Sequence, residues 1–435
     1  MPSPQTHQHG MQAQAKAQAS YTVNSGNPPC WINPLLYCMF FLLPFFLVAA
    51  YSAEPYMLKL GQRTNNLTTD NILLGVLSIA MFSVGCLLFI PKSRVERQNG
   101  ALPEGAVNTV LAVMGWTSLV CYLIYFSTLV AHPSLIVQFL AGDADAMYTV
   151  RDLIEQIPGI TSFMHADLPF LSLFSVASIA SSQVRLTKTN RSLFSALFFF
   201  LFLRAIFGSE RLALIEGLVA YAVPQAAFRW RPGVLRSAFP YLGIAGIFVL
   251  FCFGEYFRSW QFYRLYYPGF WEFITVRFFG YFSTSINNGA GIVSIFPPLY
   301  VPAETIDGFY KLLKIFGAGE NPGEPMVIQY LQTYATPEYN NQGGLYVPYM
   351  DYGYIGGALC MLVMGGVSGW LYRRFLAMSP FALLLYPSWF LALLDIVRVW
   401  IWGSSRFLPV ILISLMMSYL LRYRPSGRMT PAASP

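Results

Sequence analysis

The feature that most constrains this chain is the distribution of its charges, which leaves ten long stretches almost free of them. These apolar runs lie at roughly 33–52, 71–91, 107–131, 168–184, 192–208, 210–226, 237–255, 352–372, 380–398 and 403–421. A helix needs about 20 mostly apolar residues to cross the hydrocarbon core of a bilayer. Inside lipid, every backbone N–H and C=O has to be satisfied within the protein, which a helix does segment by segment. The pattern therefore predicts an all-α polytopic membrane protein with about ten transmembrane helices. Only 11% of the 435 residues are charged and 55% are hydrophobic, whereas soluble domains carry about 25% charge. A secreted disulfide scaffold, a disordered chain and a soluble cytosolic enzyme are thereby excluded.

The fifth and sixth runs are separated only by Gly208-Ser209 and predict a tight helical hairpin. Residues 1–30 are Gln/Ala/Ser-rich and read as a disordered cytoplasmic tail, not a signal peptide, because no apolar core follows a basic start. Residues 31–424 form one transmembrane domain, and 425–435 a second cytoplasmic tail. Within the domain, 256–351 is too polar and too rich in Pro and Gly to span throughout, and is expected to be one large outer loop. Its apolar stretches 269–282 and 306–316 carry scattered charges, as interfacial or re-entrant helices do.

The charges orient this arrangement. With the N-terminus inside, the inner segments hold 15 of the 27 basic residues and only two of the 20 acids, Glu96 and Glu104. Five short segments in succession obey the positive-inside bias, which predicts N-in, C-in and the large loop outside. The net charge of +7 is then a topology signal. The inner basic clusters are short and lie beside spans, where anionic lipid explains them, so nucleic acid is not an expected partner.

Chemistry is narrowed by what is missing. Cysteines 30, 38, 86, 121, 252 and 360 form no C-x-x-C, and the four histidines (7, 9, 132, 165) have no zinc spacing. No G-x-x-x-x-G-K-[ST] occurs, so no P-loop is expected. The informative residues are arginines placed against the positive-inside bias: Arg204 and Arg211 at the hairpin, Arg258, Arg264 and Arg277 near the start of the large loop, and Arg398 and Arg406 around the last outer turn. Charged side chains near membrane depth usually face an interior or a watery cavity. Snorkelling and structural ion pairs are the plain alternative, with Glu216 a candidate partner for Arg204. Guanidinium forks match phosphate oxygens, so the collection points to a pyrophosphate-bearing lipid. Asp351 is expected to cap the eighth span, and Gly353, Gly356, Gly357, Gly365, Gly366 and Gly369 to allow close helix packing.

Several segments in order carry a family resemblance: Gly208-Ser209-Glu210-Arg211, Gly254-Glu255-Tyr256-Phe257-Arg258-Ser259-Trp260, the stretch Gly280 to Gly289, Glu338 to Gly344, and Asp351 to Gly357 followed by Tyr372-Arg373-Arg374. Over about 33–424 the chain resembles O-antigen and exopolysaccharide repeat-unit polymerases (Wzy-type), including those of xanthan-like polymers. The resemblance implies a multi-pass glycosyltransferase of the bacterial inner membrane with its site facing the periplasm. It would transfer a growing glycan from undecaprenyl pyrophosphate to a lipid-linked oligosaccharide repeat with no cofactor, and no metal-ligating residues are singled out. Flippase and chain-length-control proteins are the partners implied, besides the lipid-linked oligosaccharides and the membrane itself. Such a reaction needs cations for the departing pyrophosphate and often a base near the acceptor hydroxyl. The candidates are Arg204, Arg211, Arg258, Arg277 and Arg406 for pyrophosphate, Glu210 and Glu255 as bases, and Tyr281, Asn287, Asn288, Asn340 and Asn341 for the glycan. Ion pairing is the competing reading for the two acids, and turn and cap chemistry for the asparagines. An O-antigen-ligase-like transferase and a lipid-linked oligosaccharide flippase or transporter are the alternative functions.

Overall fold

The computed structural model describes residues 28–53, 64–90, 103–141, 159–180, 184–208, 210–229 and 234–422 except 337 and 338, with isolated positions between 143 and 157. The two tails and the basic segment 91–102 lie outside the described residues. Among the described residues all regular structure is helical and no strand occurs.

Six helices are long and apolar enough to cross a membrane: α1 (Pro34–Tyr51), α2 (Thr69–Phe89), α3 (Glu104–Val130), α5 (Ile160–Ile179), α6 (Lys188–Phe207) and α12 (Val347–Leu376). The short α4 (Pro133–Leu140) follows α3. Four shorter apolar helices occupy the remaining predicted runs, within α7 (Arg211–Phe228), α8 (Val234–Glu255), α13 (Pro380–Leu394) and α14 (Phe407–Arg422). This is the architecture of a helical membrane protein. Local chemistry fixes several starts. Asn33 caps α1 through Leu35 N at 3.0 Å, with Pro34 in the first turn, where a missing N–H costs nothing. Thr68 caps α2 and Thr187 caps α6, each side chain accepting from the amide three residues on.

Helices α2 and α12 pack backbone to backbone. A Cβ at Gly365 would lie 1.9 Å from Phe82 O, and one at Gly85 2.0 Å from Leu362 O, so only glycine permits this approach. Small residues at such crossings let dispersion contacts replace the hydrophobic drive that lipid cannot supply. Gly353 marks a kink near the start of α12, with φ of +69°.

The large loop contains more helix than the sequence suggests. Phe270–Ile295 is a single 26-residue helix, α9, whose second half is buried. The stretch 283–289, for whose asparagines turn chemistry is the competing reading of the sequence, is helical throughout. Ser283 and Ser285 return their hydroxyls to Phe279 O and Tyr281 O at 3.1 and 2.7 Å, and the asparagines find partners in other segments. Tertiary partners thus override the local turn preference. The stretch 306–316 becomes α10 (Asp307–Ile315), which exposes Phe309, Leu312 and Ile315. A short helix α11 (Glu324–Tyr334) follows.

The ninth and tenth runs are interrupted by an irregular strap, 395–406. Trp400, Ile401 and Trp402 in it are buried. Gly403 O accepts from Gly308 N at 2.7 Å, Arg398 O from Gly343 N at 3.1 Å, and Trp400 Nε1 donates to Thr305 O at 3.1 Å. A Cβ at Gly403 would meet Thr305 O at 1.7 Å, so the strap is pressed against the loop. Non-helical backbone in a membrane protein is tolerated where protein buries it or a cavity borders it, and this strap borders the cleft described next.

Candidate functional site

Between α7, α8, α9 and the strap lies a half-open cleft of about 510 Å³. One wall is apolar: Leu212 and Ile215 of α7, Ile247, Leu250 and Phe251 of α8, and Phe278 and Phe282 of α9. The other is polar and comes from four turns or straps: Glu210, the Glu304–Lys311 segment, Asn340–Gln342, and Asp395–Arg406. Elsewhere on α8, Tyr241, Leu242, Ile244 and Val249 are exposed.

Five of the sequence candidates line this cleft: Glu210, Arg406, Tyr281, Asn340 and Asn341. Glu210 stands just before α7 and joins two arginines. Its Oε2 accepts from Arg204 Nη2, and its Oε1 lies 3.6 Å from Arg406 Nη2. Arg204, in the last turn of α6, is buried behind Glu210, and its Nε and Nη1 have no hydrogen-bond partner. The direct pair of Arg204 is therefore Glu210, and the expected partner Glu216 acts on it only electrostatically, from further off. Glu216 instead stands 3.9 Å from His165 Nδ1, because the hairpin turn carries Glu210 directly over the end of α6. One carboxylate between two guanidiniums leaves a net positive charge, and Arg406 keeps 39% of its side chain exposed beside the cleft.

Four candidates lie elsewhere. Glu255 and Arg277 pair at 3.3 Å with side chains 0% and 2% exposed, and neither borders the cleft. Arg277 Nη1 also donates to Tyr339 OH at 2.6 Å. Its guanidinium is boxed by Tyr263, Phe273, Tyr281 and Tyr339, with ring centroids 5.2–5.9 Å away. The pair braces the loop from within. Asn287 and Asn288 are likewise fully buried. Asn287 accepts from Asn66 N at 2.7 Å and donates to Thr64 O at 2.9 Å. Asn288 donates to Tyr339 O and Asn341 O at 2.7 and 3.0 Å. Asn288 thus holds the strap that presents Asn340 and Asn341, while Asn287 ties α9 to the 64–66 segment. The side chains of Arg211 and Arg258 lie outside the described residues.

Residues outside the five pyrophosphate candidates complete the polar wall, and of these only Arg398 stands among the outer-face arginines of the sequence. Arg398 pairs with Asp395 at 3.4 Å and stacks on Tyr281, 5.3 Å from its ring centroid. Tyr281 thus separates Arg398 from Arg277. Lys311 pairs with Asp307 at 2.5 Å. Glu304 sits on a 3-10 turn (Glu304–Ile306) whose amides are clamped by Asp351. Asp351 accepts from Ala303 N, Glu304 N and Thr305 N at 2.9, 3.0 and 2.7 Å, and from Thr305 Oγ1 at 2.6 Å. The cap expected of Asp351 therefore acts on another segment: α12 begins at Val347, so Asp351 is already inside it and serves the loop. Asn321 Nδ2 donates to Glu304 Oε1 and Asp307 Oδ1, both at 3.1 Å. Burial raises the Glu304 carboxyl to about 7, the nearby Asp307 and Asp351 push the same way, and hydrogen bonds from Gln342 and Asn321 oppose the rise. Only the contiguity of Glu304 with distant Asp351, Asn321 and Gln342 marks it out, and no local motif carries that signal.

Comparisons with family models, with curated proteins and with solved structures find no match.

Proposed function

We propose that the protein is a membrane polysaccharide polymerase. It transfers a growing glycan from undecaprenyl pyrophosphate to a lipid-linked repeat unit, in exopolysaccharide or O-antigen synthesis. The observation that carries this reading is the mixed lining of one half-open cleft, in which apolar side chains of α7, α8 and α9 stand beside arginines, carboxylates and amides of the loop and strap. An amphipathic substrate with a polyprenyl tail, a charged linkage and a sugar head needs those surfaces side by side. Arg406, backed by Arg204 through Glu210, supplies the excess positive charge for the departing pyrophosphate. Asn340, Asn341 and Tyr281 supply hydrogen-bonding and stacking groups for sugars.

In this reading the four shorter apolar helices also span, giving ten, with both termini on the cytoplasmic side of the bacterial inner membrane and the cleft on the periplasmic side. Residues 307–315 lie in the interface plane, with Phe309, Leu312 and Ile315 toward lipid. The test is incubation of the purified protein in lipid with undecaprenyl-pyrophosphate-linked repeat units. A ladder of lipid-linked lengths is expected. Transfer of preformed polymer to a different acceptor without elongation would make the protein a ligase, and translocation without elongation a flippase.

A further inference from the structure

We propose that Glu304 is the general base that accepts the proton of the acceptor sugar's attacking hydroxyl, a role that rests on the glycan-transfer reading of the cleft. In that step the hydroxyl oxygen forms the new bond to the donor's anomeric carbon. The bond from that carbon to the pyrophosphate oxygen breaks, and its electron pair leaves with undecaprenyl pyrophosphate. The hydroxyl proton passes to the Glu304 carboxylate and is later released to water through the open cleft.

The choice follows from pairing off the cleft's charges. Glu210 is held by two arginines, Asp395 by Arg398 and Asp307 by Lys311. Glu216 is almost fully buried and faces His165. A carboxylate tied to a guanidinium or ammonium is a weak base, because taking a proton breaks the pair. Among the described residues of the cleft, Glu304 and Glu216 have no guanidinium or ammonium within ion-pairing distance, and of the two Glu216 is buried inside α7 whereas Glu304 stands on the loop and stays partly exposed to the cleft. The charged groups that act on Glu304 are Asp307 on α10 and Asp351 on α12, and Lys311, Asp395, Arg398 and Arg406 line the same cleft.

Position is fixed as well as charge. Three amides bonded to Asp351 lock the turn, and Asn321 locks the carboxylate. A proton acceptor works best when held in place with an affinity near the working pH, and the raised Glu304 carboxyl meets that condition. The neighbouring Asn341 and Gln342 present amides on the same wall, where an acceptor sugar would be oriented.

The experiment follows elongation of undecaprenyl-pyrophosphate-linked repeats by purified wild-type protein, Glu304→Gln, Glu304→Asp and Asn321→Leu between pH 5.5 and about 8.5. Wild-type elongation should rise with pH through about 7. Glu304→Gln should lose about 10²–10⁴-fold in rate while binding undecaprenyl pyrophosphate as before, and Glu304→Asp should recover part of the loss. Asn321→Leu removes a hydrogen bond that favours the ionised form, so the rising limb should move to higher pH. Elongation by Glu304→Gln at the wild-type rate, or an unmoved limb in Asn321→Leu, overturns the base while the polymerase reading stands. Failure of the wild type itself to elongate overturns the reading of the cleft and the base with it.

Discussion

Two arginine centres lie within the same part of this molecule and are built in opposite ways. At the cleft, two guanidiniums share the single carboxylate of Glu210, and Arg406 remains partly exposed. Behind the wall, Arg277 meets Glu255 one to one inside a box of four aromatic rings. The first centre keeps charge available. The second spends its charge internally, since a buried ion survives only when paired and hydrogen-bonded. Arginine in an apolar sequence is thus not one signal but two, separated by stoichiometry and access.

The largest expected effect comes from breaking the closed centre. Glu255→Gln leaves Arg277 buried and uncompensated, at a cost of about 3–5 kcal/mol. The variant should give little folded protein in membranes and a sharply lower thermal unfolding midpoint in detergent. Combining it with Arg277→Met, which removes the orphaned charge, should recover much of the loss. A Glu255→Gln protein as stable as wild type would show that the pair does not brace the fold.

The cleft's own carboxyl provides the next effect, in pH. Glu304 has a folded-state pKa raised from 4.5 to about 7. A raised carboxyl contributes stability that is fully present below about 4.5 and is lost as pH rises through about 7. That contribution is on the order of 3 kcal/mol for a shift of this size. The unfolding midpoint of wild-type protein should therefore fall between these pH values relative to Glu304→Gln, which stays neutral throughout. Parallel pH curves for the two proteins would place Glu304 in a more solvated setting than its contacts indicate.

Much of the architecture could be read from composition, because a membrane-crossing helix needs only a long enough apolar run. The hairpin of α6 and α7 was legible in Gly208-Ser209, and Gly365, Gly366 and Gly369 pack against the facing helix as expected, whereas Gly353 makes a kink and Gly356 and Gly357 meet only other residues of α12 itself. The site was legible only in part. Glu210 and Arg406 stand out as charges between apolar runs, yet so do Glu255 and Arg277, and nothing local separates the open centre from the closed one. Asn287 and Asn288 look like turn residues because their partners, Thr64, Asn66, Tyr339 and Asn341, are distant in sequence. Glu304 has no basic neighbour in sequence, and its setting is made by Asp351, Asn321 and Gln342. Long-range pairing creates these roles, and a single sequence does not display it.

The open centre predicts a different phenotype from the closed one. Arg406→Ala removes a half-exposed guanidinium, so the unfolding midpoint should move little. Elongation of lipid-linked repeats should fall by about 10²-fold or more, the scale of losing one group that stabilises developing charge. Arg406→Lys keeps the charge without the bidentate fork and should recover only part of the activity. Full elongation by Arg406→Ala would erase the distinction between the two centres, since neither would then act on substrate.

The smallest effect concerns the residue that touches both sides of the comparison. Tyr281 lies with its ring centroid 5.9 Å from the Arg277 guanidinium and 5.3 Å from that of Arg398, and it also lines the cleft. Each cation–π contact is worth about 0.5–1 kcal/mol where the ring is partly exposed. Tyr281→Leu should therefore lower stability by about 1–2 kcal/mol, well below the loss from Glu255→Gln. Tyr281→Phe keeps the ring and should keep that stability. If the ring also receives a sugar, Tyr281→Phe should elongate nearly as fast as wild type, while Tyr281→Leu should need more repeat unit to reach half its maximal rate. A loss of stability without that change in substrate demand would assign the ring wholly to the closed centre, with Arg398 held in place from behind.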